Sequence, residues 1–153
     1  MARAQALVLD ASVIVKWFVE EELTLQALAI RDAYHQRTID ILEPALLPFE
    51  VLNALRYKPD FGTEDVKAAA KSLTDFQFHV FFLDRALAEK TAEIAFLFGV
   101  TIYDASYFAL AVLQSCTFVT AEKKLMTKLK DQPGVLHLKD FPLPSPTGGK
   151  PTE

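Results

Sequence analysis

Short apolar segments alternate with longer segments of helical periodicity along almost the whole chain. Short apolar runs bounded by turn residues are typical of strands that are buried on both faces. Strands that alternate with helices pair in parallel, with helices covering both faces of the sheet. We therefore predict an α/β fold, a three-layer α/β/α sandwich with a central, mainly parallel sheet. The expected strands are Ala6–Leu9, Ile39–Leu42, Val80–Leu83, Cys116–Val119 and Val135–Leu138.

The expected helices begin and end at capping and breaking residues. Three consecutive glutamates, Glu20 to Glu22, suit the first turn of a helix, and Gly99 suits the position after a last turn. The expected helices are Ala11–Val19, Glu20–Arg37, one entered between Pro44 and Pro48, Thr63–Phe78, Arg85–Phe98, Ala105–Gln114 and Lys123–Lys130.

The length of the chain suits one domain, since 153 residues lie within the usual domain range. Hydrophobic residues make up 51% of the sequence, which is enough to build a core. The final segment is rich in Pro, Gly, Ser and Thr, a composition typical of disorder. We predict a single domain over residues 1–140 and a disordered tail over residues 141–153.

The charge balance restricts how the chain could bind nucleic acid. The formal net charge is −4, whereas proteins that bind nucleic acid by charge alone are usually basic. A nucleic-acid substrate would therefore require bound divalent cations to offset phosphate repulsion. No apolar run approaches the roughly 20 residues of a membrane span, and we expect no membrane. A single cysteine, Cys116, suits a reducing, cytoplasmic compartment.

Four acidic residues stand in apolar surroundings. Asp10 and Glu122 follow expected strands, and Glu50 and Asp104 lie near the starts of expected helices. Ligands of open α/β sheets bind outside the carboxyl ends of the strands. Because buried carboxylates are rare unless paired or bound to metal, these acids are candidates for a shared site.

Each acid also has a structural interpretation. Asp10 and Asp104 could be helix N-caps, Glu50 could be a partly exposed helix residue, and Glu122 could be a first-turn acid that stabilises a helix dipole. The four positions do not form a compact motif, so the residues alone leave both interpretations open.

A cluster of four carboxylates would suit hard divalent cations. Neighbouring carboxylates raise each other's pKa, and Mg²⁺ or Mn²⁺ removes this repulsion by accepting oxygen ligands. Such ions bind a phosphate, lower the pKa of a water molecule and stabilise the leaving oxygen. The cluster therefore favours phosphodiester hydrolysis without a His, Cys or Ser nucleophile.

Four segments resemble, in order and at the right spacing, the motifs of the PIN domain, and in particular of VapC-type toxins from toxin–antitoxin pairs. The resemblance spans about residues 7 to 138 and implies a PIN-like fold. The matching segments are Val8–Phe18, Pro48–Arg56, Ile102–Ala111 and Phe118–Glu122.

The resemblance implies an endoribonuclease, a hydrolase, that depends on Mg²⁺ or Mn²⁺. By position, the core catalytic and metal-binding acids would be Asp10, Glu50 and Asp104. The chain departs from the family at Glu122, where Asp is usual. Glu122 would be the fourth acid, and it would bind the metal directly, through water or not at all. The implied supporting residues are Ser12, Asn53 and Thr120.

The resemblance also implies partners: a small antitoxin of the VapB type, lying in an apolar groove, and a second copy of the chain in a homodimer. Trp17 and Phe18 could line such a groove, or they could be core aromatics. Lys123, Lys124, Lys128 and Lys130 cluster just after Glu122. They could guide an RNA backbone toward the acids, with Lys123 and Lys124 as the predicted contacts, or they could form a solvated helix face.

Two other classes of function compete with the nuclease. The chain could be a PIN-like interaction module with weak or lost catalysis, an interpretation that Glu122 leaves open. It could also transfer a phosphoryl group through a strand-end aspartate. Haloacid-dehalogenase-like enzymes would have a second Asp at position 12, which is Ser12, and a receiver domain would have an acidic pair where Leu9 and Asp10 stand.

Overall fold

The computed structural model describes residues 5–143, which form five strands and seven α-helices. Short 3-10 helical turns cover Val15–Trp17 and Leu138–Asp140. The strands are β1 (Gln5–Leu9), β2 (Ile39–Pro44), β3 (His79–Phe81), β4 (Thr117–Thr120) and β5 (Val135–His137). The helices are α1 (Ala11–Ile14), α2 (Thr24–His35), α3 (Leu47–Arg56), α4 (Thr63–Phe76), α5 (Arg85–Phe98), α6 (Ile102–Gln114) and α7 (Lys123–Leu129).

Over residues 5–143 the sheet has the order β3-β2-β1-β4-β5, and every neighbouring pair is parallel. The predicted α/β/α sandwich is confirmed. The chain first builds the sheet outward from β1 through β2 and β3, and then returns to place β4 on the other side of β1. The carboxyl ends of β1 and β4 therefore flank the point where the strand order reverses, which is where parallel sheets bind their ligands.

Helix α6 packs against the centre of the sheet. Leu7, Val8 and Leu9 of β1 are fully buried, as the apolar run predicts. Helix α6 packs against α5 and against three strands of the sheet. The rings of Tyr107 and Phe118 stack nearly parallel, with 6.1 Å between their centroids. This stack links α6 directly to β4.

The segment after Asp10 is shorter and more tightly wound than predicted. Helix α1 ends at Ile14 and continues as the 3-10 turn, so the expected helix Ala11–Val19 is wrong in its second half. Trp17 is largely buried, packs edge-on against Phe76 and donates from Nε1 to the carbonyl oxygen of Ala27 at 2.8 Å. Trp17 is thus a core aromatic and does not line a groove.

Other boundaries differ for local reasons. The helix expected from Glu20 begins at Thr24, after Leu23 adopts a left-handed conformation with φ of 67°, so the glutamates lie before the helix. Helix α6 begins at Ile102, where the Thr101 side chain caps it. Strand β2 continues to Pro44, two residues beyond the expected end.

The predicted domain over residues 1–140 and the predicted tail over residues 141–153 remain predictions. Residues 1–4 and 144–153 lie outside the described residues, and Phe141 packs against the core.

Among residues 5–143, no single helix is long and apolar enough to cross a membrane. The pair α5 and α6, bent by 117°, meets the length and composition needed only when both helices are counted together.

We expect Phe118→Ala to lower the free energy of unfolding by about 3–5 kcal/mol, because it removes a fully buried ring and leaves a cavity beside Tyr107. Urea unfolding would measure the change. The control is Phe82→Ala, since Phe82 is 79% exposed and its loss should change stability by only about 0.5 kcal/mol. Equal stability of the two variants would contradict the packing described for α6 and β4.

Candidate active site

The four predicted acids line one cleft at the carboxyl ends of β1 and β4. The cleft, called here the acid cleft, has a volume of about 610 Å³. Asp10 follows β1, Glu50 lies in the first turn of α3, Asp104 lies in α6, and Glu122 precedes α7. Four separate elements therefore bring these side chains together.

Asp10 is held by hydrogen bonds on both of its carboxylate oxygens. Oδ1 accepts from the backbone N–H of Ser12 at 3.1 Å and from the Ser12 hydroxyl at 2.5 Å, and Oδ2 accepts from the Thr120 hydroxyl at 2.5 Å. Asp10 is thus the N-cap of α1, as the structural interpretation predicts. The cap is also part of a larger network across the sheet.

Ser12 and Thr120 extend this network to the segment after β4. The N–H of Ala121 donates to the Ser12 hydroxyl oxygen at 2.9 Å, and the N–H of Glu122 donates to the Thr120 hydroxyl oxygen at 3.1 Å. Two of the three residues predicted as supporting groups, Ser12 and Thr120, therefore connect Asp10 to the backbone that positions Glu122.

Burial raises the pKa of the Asp10 carboxyl to about 7. The hydrogen bonds from Ser12 and Thr120 lower this pKa, whereas the charges of Glu122 and Asp104 raise it further. Only 4% of Asp10 is exposed. A carboxyl group with this pKa carries a proton in part of the molecules near neutral pH, so proton binding at Asp10 is sensitive to any nearby cation.

Glu50 is anchored by the core. The hydroxyl of the buried Tyr107 donates to Glu50 Oε1 at 2.6 Å. Partial burial raises the pKa of the Glu50 carboxyl, and the charges of Asp104 and Glu122 raise it further against the Tyr107 hydrogen bond. Glu50 is therefore a partly exposed helix residue, as the structural interpretation predicts, and its carboxylate is also oriented by Tyr107 in the lining of the cleft.

Asp104 is not an N-cap. Its backbone N–H donates to the Thr101 hydroxyl oxygen at 3.0 Å, so Thr101 caps α6 and the Asp104 carboxylate faces the cleft instead. Partial burial raises the pKa of Asp104, and the Lys128 ammonium opposes this shift.

Glu122 is exposed at the residue directly before α7 rather than within its first turn. Among the described residues its side chain makes no capping hydrogen bond to the helix. Its carboxylate is therefore the least constrained of the four acids.

The oxygen-rich donor set suits a hard divalent cation, and the three buried or half-buried acids have the raised pKa values that such a cation would relieve. Within residues 5–143, however, no three acidic, imidazole or thiol groups form a ready-made metal site. Cation binding would therefore require side-chain adjustment, which the loosely held Glu122 permits most easily.

The remaining predicted residues divide into two groups. Lys123 and Lys124 line the acid cleft on the side of α7. Asn53 faces a neighbouring hollow of about 670 Å³ that it shares with Phe49 and Tyr103, and that borders the acid cleft through Glu50. Lys123 and Lys124 thus share the acid cleft with the four acids, whereas Asn53 lies in the neighbouring hollow.

Comparison with known proteins settles the family. The model of the PIN domain matches residues 7–130, which is most of the chain. The chain belongs to the PIN domain family. Among curated protein sequences, none matches this PIN domain.

Solved structures show the same fold. A Pyrobaculum aerophilum protein, PAE2754, is 26% identical with a TM-score of 0.60, and the match covers 89% of this chain and 85% of that one. The DNA-bound VapBC of Salmonella typhimurium is 16% identical with a TM-score of 0.62 over 87% and 96% of the two chains. VapC20 of Mycobacterium tuberculosis, a toxin that cleaves the sarcin-ricin loop, is 14% identical with a TM-score of 0.59 over 79% and 93%.

Sequence reasoning missed a fifth acid below the site of this PIN domain. Glu43, near the end of β2, is fully buried, and its Oε2 accepts from the N–H of Leu9 at 3.3 Å. Among the described residues, Oε1 has no hydrogen-bond partner. Burial raises the pKa of Glu43 well above its usual value, and the charge of Asp10 adds to this. An acid inside the apolar segment before Pro44 was the available signal.

Sequence reasoning also missed three charged residues that line the cleft. Lys16, Glu21 and Lys58 lie on its wall beside α1 and α3. Their separation along the chain left no motif from which to predict their contact.

We expect Glu43→Gln to gain stability relative to the parent protein as the pH rises. Between the ordinary pKa of 4.5 and the higher folded-state pKa, folded Glu43 keeps a proton that the unfolded chain has lost. The parent's stability therefore falls with pH, by about 1.4 kcal/mol per unit at most. A glutamine side chain has no proton that titrates in this range, and its carbonyl oxygen can still accept from the backbone N–H of Leu9.

Urea unfolding in EDTA between pH 4 and pH 8 would measure this difference. The control is Glu64→Gln, whose side chain is 86% exposed, and its difference from the parent should stay constant. A constant difference for Glu43→Gln as well would show that Glu43 is ionised in the folded protein.

Proposed function

We propose that the chain is an endoribonuclease dependent on Mg²⁺ or Mn²⁺, and that it is the toxin of a toxin–antitoxin pair. The convergence of Asp10, Glu50, Asp104 and Glu122 on one cleft is the observation that carries this proposal. PIN domains are generally nucleases, and one structural neighbour is described as a toxin that cleaves the sarcin-ricin loop.

Asp10, Glu50 and Asp104 would hold the cation, with Glu122 as a fourth ligand. A bound divalent cation supplies charge to bind the scissile phosphate, a more acidic water molecule and stabilisation of the leaving oxygen. Because the nucleophile would be that water molecule, catalysis would need no Ser, Cys or His side chain beside the acids that hold the cation.

The chain's own groups would orient these acids. Ser12 and Thr120 fix the Asp10 carboxylate by hydrogen bonds, and Tyr107 fixes Glu50. Metal ligands that are held by such partners bind more tightly and in a defined direction. Lys123 and Lys124 border the cleft, where they would bind the RNA backbone.

We expect cleavage of a labelled RNA pool to require Mg²⁺ or Mn²⁺, to stop in EDTA and to be lost in Asp10→Asn and Asp104→Asn. Each substitution removes a charge from the cleft but keeps the side chain's shape, and the rate should fall on the order of 100-fold or more. Asp75→Asn is the matched control, because Asp75 is exposed on α4, outside the cleft, and the same substitution there should leave the rate unchanged.

Two results would contradict the nuclease. One is a folded wild-type protein that cuts none of the RNAs with either cation, and the other is cleavage by the Asp10 and Asp104 variants at the wild-type rate. In either case the interaction module, a PIN-like domain that acts by binding a partner, becomes the better proposal.

We expect Mn²⁺ to bind about tenfold more weakly at pH 6 than at pH 8, because the proton on Asp10, with a pKa of about 7, competes with the cation. Calorimetric titration would measure the affinity and also count the bound ions. The Asp10→Asn variant should bind Mn²⁺ more weakly, and its affinity for Mn²⁺ should depend less on pH. An affinity that does not change with pH would show that no proton competes with the cation at Asp10 in this range.

The proposed partners are a small VapB-like antitoxin and a second copy of the chain. Structural neighbours include a toxin–antitoxin complex from Klebsiella pneumoniae and the DNA-bound VapBC. Large apolar side chains are exposed beside the cleft, with Phe49 at 78% and Tyr103 at 62%. Such a surface favours a protein contact. A cytoplasmic location remains part of the proposal.

A further inference from the structure

A basic wall stands beside the four acids in the same cleft. Lys16 lies in the 3-10 turn after α1, Glu21 in the loop that follows it, and Lys58 just beyond α3. Glu21 Oε1 lies 3.1 Å from the Lys16 ammonium, and Oε2 lies 2.7 Å from the Lys58 ammonium. One carboxylate thus holds two ammonium groups, and the three residues are called here the lysine bridge.

The lysine bridge is more constrained than ordinary surface ion pairs. The side chain of Lys16 is 10% exposed, that of Glu21 28% and that of Lys58 35%. Partial burial raises the pKa of the Glu21 carboxyl, but the hydrogen bonds from Lys58 and Lys16 outweigh burial and leave the pKa below its usual value. Glu21 is therefore ionised near neutral pH, and it orients both lysines.

The bridge retains capacity to bind an anion. Two ammonium groups and one carboxylate leave an excess of one positive charge. Each ammonium has three N–H donors, and Glu21 accepts one from each lysine. A phosphate oxygen next to the two ammonium groups would receive charge-assisted hydrogen bonds without first having to order the lysines.

The position of the bridge defines which phosphate it would bind. The lysine bridge, near α1 and α3, and Lys123 and Lys124 of α7 line the same cleft as the four acids. An RNA strand carries one negative charge per nucleotide, so a strand whose scissile phosphate lies at the acids also places neighbouring phosphates along the cleft. The acids repel those neighbours, and cationic side chains elsewhere along the cleft would offset the repulsion.

We propose that Lys16 and Lys58, held in place by Glu21, form a subsite for a non-scissile backbone phosphate of single-stranded RNA. This inference rests on the proposed function for the identity of the ligand. It adds a binding role for three residues that lie outside the four acids and their supporting hydrogen bonds.

Binding of a labelled RNA oligonucleotide in EDTA tests the subsite without any cleavage. In Lys58→Gln the affinity at about 0.1 M salt should fall about fivefold, and the slope of log K against log salt should become shallower by about 0.7, the loss of one phosphate contact. Lys58→Arg, which keeps the charge, should restore most of both.

The control is Lys90→Gln. Like Lys58, Lys90 has a partly exposed side chain (34%) and forms an ion pair, with its ammonium 3.1 Å from the Glu93 carboxylate. Lys90 lies on α5 and does not line the cleft. Its affinity and salt slope should match those of the wild type. Thermal unfolding of both variants separates loss of binding from loss of stability, because a purely structural bridge would change the melting temperature and not the salt slope.

A second measurement compares substrates in the presence of Mg²⁺ or Mn²⁺. Lys58→Gln should lose more kcat/KM on an oligonucleotide than on a dinucleotide, which has only the scissile phosphate. Equal losses on both substrates would place Lys58 at the reaction centre and overturn the subsite.

The outcomes separate the subsite from the nuclease. If RNA binds and Lys58→Gln has the wild-type affinity and slope, the subsite is wrong and the nuclease proposal stands. If binding depends on Lys58 but no RNA is cut, the subsite stands and the catalytic proposal fails. If the wild type neither binds nor cuts RNA, both are wrong.

Discussion

The hydrogen bonds around Asp10 are the interaction on which the rest of the structure depends. A single carboxylate ends the central strand, caps α1 and accepts from the Thr120 hydroxyl at the end of the neighbouring strand. The Ser12 hydroxyl, which donates to Asp10, also accepts a hydrogen bond from the backbone N–H of Ala121. These contacts join β1 and β4 where the strand order reverses, so the part of the sheet that opens for a ligand is also tightly cross-linked. The same bonds explain how a nearly buried carboxyl is tolerated there, since buried polar groups are stable only when they are hydrogen-bonded.

Charge is arranged around that junction so that repulsion is concentrated in one place. Burial raises the pKa values of Asp10, Glu50 and Asp104, and neighbouring acids raise those of Asp10 and Glu50 further. The buried Glu43 adds another carboxyl close to Asp10. Positive charge near the acids comes from the lysine bridge, from Lys123 and Lys124 in the lining of the cleft, and from Lys128 near Asp104. The folded protein therefore stores electrostatic free energy at the centre of the cleft, and binding of a cation there would release it.

Much of the fold and of the candidate site was predictable from the sequence. Runs of four mainly apolar residues identified each strand of the described sheet to within about two residues, because most residues of β1, β2 and β4 are buried. The four acids were found because they interrupt such patterns. The interpretation of Asp104 as an N-cap was wrong, since Thr101 caps α6 three residues earlier. Glu43 was missed because the strand was ended before it. The contact of Glu21 with Lys58 joins residues 37 positions apart, which no local pattern encodes.

Helix α6 carries two of the groups that define the cleft, and they are one turn apart. Asp104 faces the cleft directly, and Tyr107 holds Glu50 through its hydroxyl while its ring stacks on Phe118 in the core. The same helix exposes Tyr103, Val112 and Leu113 at the surface. A sliding of α6 along its axis would therefore move two carboxylates in concert, one directly and one through a phenol. The spacing of the acids is thus mechanically coupled to the outer surface of the protein.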